Sequence, residues 1–136
     1  MIAQTITTSF KQDILQALQD ITTDVLKMAL YTGAASLDAD TTIYTTLNEV
    51  TGTGYTAGGN ICSNVTLNTS GTVVYVSFDN VVWTGVSFTC RGALIYNTSQ
   101  GNKSVAALNF GSDKLAGPNF TVTLPANSAD SALIRI

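Results

Sequence analysis

Apolar and polar positions take turns along most of this chain, and only one stretch departs from a strand-like period. Phe10, Ile14, Ala17, Leu18 and Ile21 recur every three to four residues, against a polar side of Lys11, Gln12, Gln16 and Gln19. That spacing predicts an amphipathic helix over residues 9–21. Ser9 stands at the cap with Gln12 three positions on, and Asp13 near the start suits the helix dipole. A helix this short is marginal alone in water, so it must pack on something. Everything after it reads as strands, with clear period-two alternation in 61–67 and 72–78. Strands are predicted over 25–31, 61–67, 72–78, 81–84, 86–96, 103–110, 119–124 and 132–136, with polar connections between. Asn68-Thr69-Ser70-Gly71 reads as a tight turn, and Gly92 as a bulge or a close backbone approach. Residues 111–118 read as a loop. Short strands divided by turn signals predict a mainly β, antiparallel sandwich or jelly roll, one domain over 1–136, with a single N-terminal helix.

Residues 1–8, ahead of the helix, also alternate. They read either as an arm that pairs with a neighbouring sheet edge, with Ile2, Thr5 and Ile6 as contact residues, or as a frayed terminus. The closing Ala132-Leu133-Ile134-Arg135-Ile136 is too apolar to dangle and is expected in a paired strand.

Composition supports the strand reading and removes several functions. Threonine occurs 21 times, and with valine, tyrosine and phenylalanine it favours pleated, half-buried strands. Charged residues make up only 11%, the net charge is −3, and the six cations are scattered, so no basic patch is on offer to nucleic acid. No apolar run reaches the roughly 18–20 residues of a membrane helix, so no membrane partner is expected. The first residues lack the basic start and apolar run of a signal peptide. Low charge with high β-propensity describes a surface that touches other protein.

Candidate chemistry is sparse. Gly52-Thr53-Gly54-Tyr55-Thr56-Ala57 fits the loose form of a dinucleotide fingerprint. That fingerprint works only where a strand opens into a helix. Here Gly58-Gly59 follow, and no phosphate-binding lysine is present, so the segment reads as a glycine-hinged connection. With no histidine, the commonest base near neutral pH and the commonest zinc ligand are both missing. Glu49, the only glutamate, reads as a loop carboxylate accepting from nearby N–H groups. Asp38 and Asp40 supply two oxygens where calcium takes six to eight. Cys62 and Cys90 read as buried free thiols rather than a disulfide. No catalytic residue, cofactor or metal is therefore expected, and the chain does not read as an enzyme. Aromatics carry the remaining contact candidates. Trp83 is either an interface anchor or core between two sheets. Tyr31, Tyr44 and Tyr55 border polar loops, and Tyr55 is expected to face outward.

Several pieces, in order along the chain, resemble small virion proteins of tailed bacteriophages, of the capsid decoration or cement type. They are the helix leading into Leu26-Lys27-Met28-Ala29-Leu30-Tyr31, and Asn48-Glu49-Val50-Thr51-Gly52-Thr53-Gly54-Tyr55-Thr56-Ala57-Gly58-Gly59. Trp83-Thr84, Thr89-Cys90-Arg91-Gly92-Ala93-Leu94-Ile95-Tyr96 and Leu108-Asn109-Phe110-Gly111-Ser112-Asp113 follow. Cys90 stands where alanine would be more usual. The resemblance implies a structural protein that binds the major capsid protein, self-associates as a dimer or trimer, and sits on the outer surface of the virion after synthesis in the host cytoplasm. A tail- or fibre-associated protein that binds a receptor or carbohydrate is the alternative.

Overall fold

A computed structural model describes all 136 residues. The chain is mainly β, with antiparallel sheets and one short helix, as the alternation predicts. In chain order the elements are β1 (Thr5–Ile6), α1 (Thr8–Leu15), β2 (Leu26–Tyr31), β3 (Asn60–Ile61), β4 (Thr66–Ser70) and β5 (Val73–Ser77). β6 (Val81–Thr84), β7 (Phe88–Asn97), β8 (Lys103–Ala116), β9 (Asn119–Val122) and β10 (Ile134–Arg135) complete it. Five strands form the main sheet in the order β1-β8-β7-β2-β3, three form a second sheet ordered β10-β5-β4, and β6 pairs with β9. The larger core packs Phe10 and Leu30 with Val76, Trp83, Phe88, Ile95 and Ile134, so helix, ribbon and both sheets share it. A smaller cluster on the other side of the main sheet holds Ile2, Tyr31, Leu37, Leu94 and Tyr96.

The helix is shorter than its apolar stripe, and its start is Thr7 rather than Ser9. The Thr7 hydroxyl accepts from Phe10 N–H at 3.3 Å. At the other end Ala17 adopts φ 57°, Leu18 N–H bonds Asp13 O at 2.8 Å, and Ala17 N–H bonds Ile14 O at 3.3 Å. That pair of bonds is a Schellman stop, made here without the usual glycine. Its cause is Gln19, which the helical reading put on the wet side. Gln19 is buried, its amide donates to Asp13 Oδ2 at 2.9 Å and Ser104 O at 3.3 Å, and its carbonyl accepts from Asn97 at 3.1 Å. Three internal bonds to a buried amide outweigh the extension of a solvent-facing helix.

Other boundaries move for similar reasons. The predicted 61–67 strand is two strands, β3 on β2 and β4 on β5. Asn68, Thr69 and Ser70 lie in β4, and the turn is Gly71-Thr72, with Gly71 at φ 60°. Between β7 and β8 the register jumps: Cys90 faces Lys114 and Gly92 faces Asn109, so residues 110–113 loop out opposite Arg91 before β8 resumes. Of the loop expected over 111–118, residues 111–113 are thus in a bulge, bridged by an Arg91–Asp113 ion pair of 3.3 Å, and residues 114–116 pair with β7. Gly92 earns its place by close approach, because a Cβ there would meet Leu108 O at 2.5 Å and Ile2 Cδ1 at 2.7 Å. Residues 1–8 form neither a projecting arm nor a frayed terminus. Ile2 bridges Leu37, and Thr5 and Ile6 pair with Ala107 and Ala106 of β8, so residues 1–8 close the edge of their own sheet.

Candidate functional site

The glycine segment and the tyrosines converge on Glu49. Residues 48–50 run beside the end of β2, with Thr32 N–H bonding Asn48 O at 3.0 Å and Val50 N–H bonding Leu30 O at 2.9 Å. This places Glu49 against Tyr31 and turns its side chain inward, where it is buried. Its Oε1 accepts from Tyr55 OH at 2.6 Å and Gly58 N–H at 2.7 Å, and its Oε2 accepts from Tyr44 OH at 2.7 Å. Tyr55 OH also accepts from Leu30 N–H at 2.9 Å, and Tyr96 OH donates to Gly58 O at 2.7 Å. Tyr44 stacks on Tyr96 with centroids 4.5 Å apart. Gly58 and Gly59 hold positive φ, and a side chain at Gly59 would overlap the Met28 carbonyl, so the loop lies flat on β2.

Electrostatics follow from this geometry. Burial first, and then the bond to Glu49, push the Tyr44 and Tyr55 phenols well above their ordinary value. Burial followed by the Glu49 charge does the same to Tyr31 and takes Tyr96 to about 12. Glu49 thus accepts from the loop as its sequence position suggested, with two phenols in addition to the N–H. All three donors are internal, which makes the carboxylate a clamp on residues 51–59 rather than a base. Three amides of the loop are also engaged internally, Gly58 N–H by Glu49, Gly59 N–H by Thr56 O and Tyr55 N–H by Gly52 O.

The contact candidates fare unevenly. Tyr55 was expected to face outward and instead points its hydroxyl into the clamp. Tyr44 is in the same clamp. Trp83 is buried beside Phe120, at 6.2 Å between centroids, which is the core reading. Ile2 is only 5% exposed, while Thr5 and Ile6 are half-buried in β1. Cys62 and Cys90 are buried free thiols, pushed up to about 12 chiefly by burial. Asp38 turns its carboxylate onto Asp40 N–H at 2.9 Å, an Asx turn.

What sequence reading missed is an apolar groove between α1 and β10. Two adjoining hollows of about 370 and 330 Å³ share Phe10, Ile14, Ile134 and Ile136, and Leu67 and Val76 extend the first. Its rim carries large apolar side chains in the open: Leu15 is 88% exposed, Ile136 75% and Leu67 49%. Lys11, Asp20 and Arg135 are the charges beside it. The available signal was Leu15, an apolar residue on the predicted polar side of the helix. No helix is long and apolar enough to cross a membrane. No protein-family model, curated protein or solved structure matches the chain.

Proposed function

We propose that this chain is a structural virion protein of a tailed bacteriophage, a capsid decoration protein that binds the major capsid protein lattice. The observation that carries the proposal is the α1–β10 groove with its exposed rim of Leu15 and Ile136. Contiguous apolar surface on a soluble β fold marks a protein contact. The groove is walled by α1, by residues 17–22 that follow it, and by β10, with Leu67 and Val76 of β4 and β5 completing it. The reactive groups favour the same reading. The single glutamate is saturated by internal donors, and both thiols are buried and hard to ionise. A decoration protein needs contact area and stiffness, and catalysis is no part of its work.

A tail or fibre role in carbohydrate binding would draw on outward aromatic rings. Tyr55, the aromatic expected to face outward, has its hydroxyl turned into the Glu49 clamp, so this reading has less support. Cryo-electron microscopy of purified particles tests the proposal. Density for this chain across the icosahedral shell is the expected result, with Leu15 and Ile136 facing the capsid subunit. Density confined to the portal vertex or tail refutes it.

A further inference from the structure

The second sheet ends on a strand whose edge is unprotected. β4 bonds only β5, in unbroken register from Thr66↔Ser77 to Ser70↔Val73. Val74 of β5 exchanges both backbone groups with Ile136, at 3.0 and 2.8 Å on the β10 side. Thr69, opposite Val74, therefore turns its N–H and C=O away from β5, and by the antiparallel period Leu67 does the same. These groups form an open row along the sheet edge.

Sheet edges usually carry charge, proline, a bulge or a very short strand to prevent pairing with another chain. Most other end strands here are blunted. β1, β3 and β10 are two residues long, and β10 carries Arg135. β6 has the Asn60 amide donating to Val82 O at 2.9 Å, and β9 follows Pro118. β4 is the longest end strand, at five residues, and has no such device. No Asp, Glu, Lys, Arg or Pro occurs between Ile61 and Phe78.

We propose that β4 is a self-association edge, at which a second copy of this chain pairs antiparallel across a twofold axis, joining two three-stranded sheets into one of six. The occupant follows from the strand's own chemistry. A twofold places the same short segment against itself, so any charge in it would face its like. β4 has none. Leu67 provides the apolar part. Its cross-strand partner Val76 is 5% exposed while Leu67 is half-exposed, so the hairpin's inner face is finished on β5 and unfinished on β4. Pairing of β4 with its copy brings the two Leu67 side chains together and covers them. The inference uses one backbone edge and stands whether or not the virion reading does.

Light scattering coupled to size exclusion, over a concentration series, tests it. The wild-type mass rises from 14.2 kDa toward twice that value. Leu67→Lys and Thr69→Pro each weaken dimerisation by roughly tenfold or more while leaving circular dichroism unchanged. Leu15→Lys, on the rim away from β4, leaves dimerisation intact, which separates this contact from the capsid-binding one. Hydrogen exchange reads the unmodified protein, in which the Leu67 and Thr69 amides gain protection as concentration rises. A mass fixed at the monomer value, a trimer, or variants that dimerise like wild type overturns the proposal.

Discussion

Replacing Glu49 with alanine removes the acceptor of three hydrogen bonds at once and leaves Tyr55 OH, Tyr44 OH and Gly58 N–H facing a hole. Bonds to a charged acceptor contribute about 1.5–3 kcal/mol each, and the half-buried Tyr44 hydroxyl recovers part of its loss from water. A net destabilisation of about 3–5 kcal/mol follows, in the range for orphaning the partners of a buried charge. Unfolding entropy of about 2.1 cal/mol/K per residue converts this to a fall in Tm of about 10–17 °C. Glu49→Gln separates shape from charge. Its carbonyl still accepts from Tyr55 and Gly58, its amide donates to Tyr44 oxygen, and the loss drops to about 1–2 kcal/mol. Calorimetry ranks the three proteins, and hydrogen exchange localises the effect, with faster exchange at Gly58 and Gly59 in the alanine variant. An alanine variant within about 1 kcal/mol of wild type, or a glutamine variant as damaged as the alanine one, refutes the clamp.

Three smaller predictions use other features. Ala17→Gly relieves a left-handed residue at the helix stop and raises stability by about 0.5–1 kcal/mol, read as a higher denaturant midpoint; a lower one contradicts the Schellman assignment. Trp83 Nε1 is buried without an acceptor. Trp83→Phe removes that donor while opening a small cavity, so chemical denaturation finds a net change under about 1 kcal/mol, and a loss above about 3 refutes the balance. Raised phenol and thiol pKa values mean the folded chain holds its protons longer than the unfolded one. Stability is full below the unfolded values of about 8.5 for cysteine and 10 for tyrosine. It then declines as pH climbs toward the folded value of about 12 of Cys62, Cys90 and Tyr96. Urea midpoints at about pH 8 and about pH 11 should differ accordingly, and equal midpoints contradict the burial of these groups.

Period-two alternation made the sheets legible, because a side chain's face in a strand is set by position parity alone. Gly92 was readable as a close approach, and the C-terminal strand as paired, because an apolar run beside a charged residue has nowhere else to go. Long-range polar bonds were not readable. Gln19 looks like a surface residue until Asp13, Ser104 and Asn97 surround it, and that set ends the helix early. Tyr55 failed in the same way, since a tyrosine in a glycine loop points outward or inward according to whether a carboxylate lies beneath. Glu49 was recognised as a loop carboxylate, but its phenol donors come from either side of it. The groove was invisible because its walls, α1 and β10, lie at opposite ends of the sequence.

That separation has a consequence for how the molecule is made. Phe10 and Ile14 leave the ribosome well before the strand they share a groove with, Ile134–Arg135, which follows more than a hundred residues later. Until then the nascent chain carries an amphipathic helix whose greasy side has only part of its cover, and a β5 edge still open at Val74. Both are chaperone-type recognition features. The C-terminal residues that complete the groove therefore also cover both of these exposed features, since Ile136 closes the β5 edge at Val74.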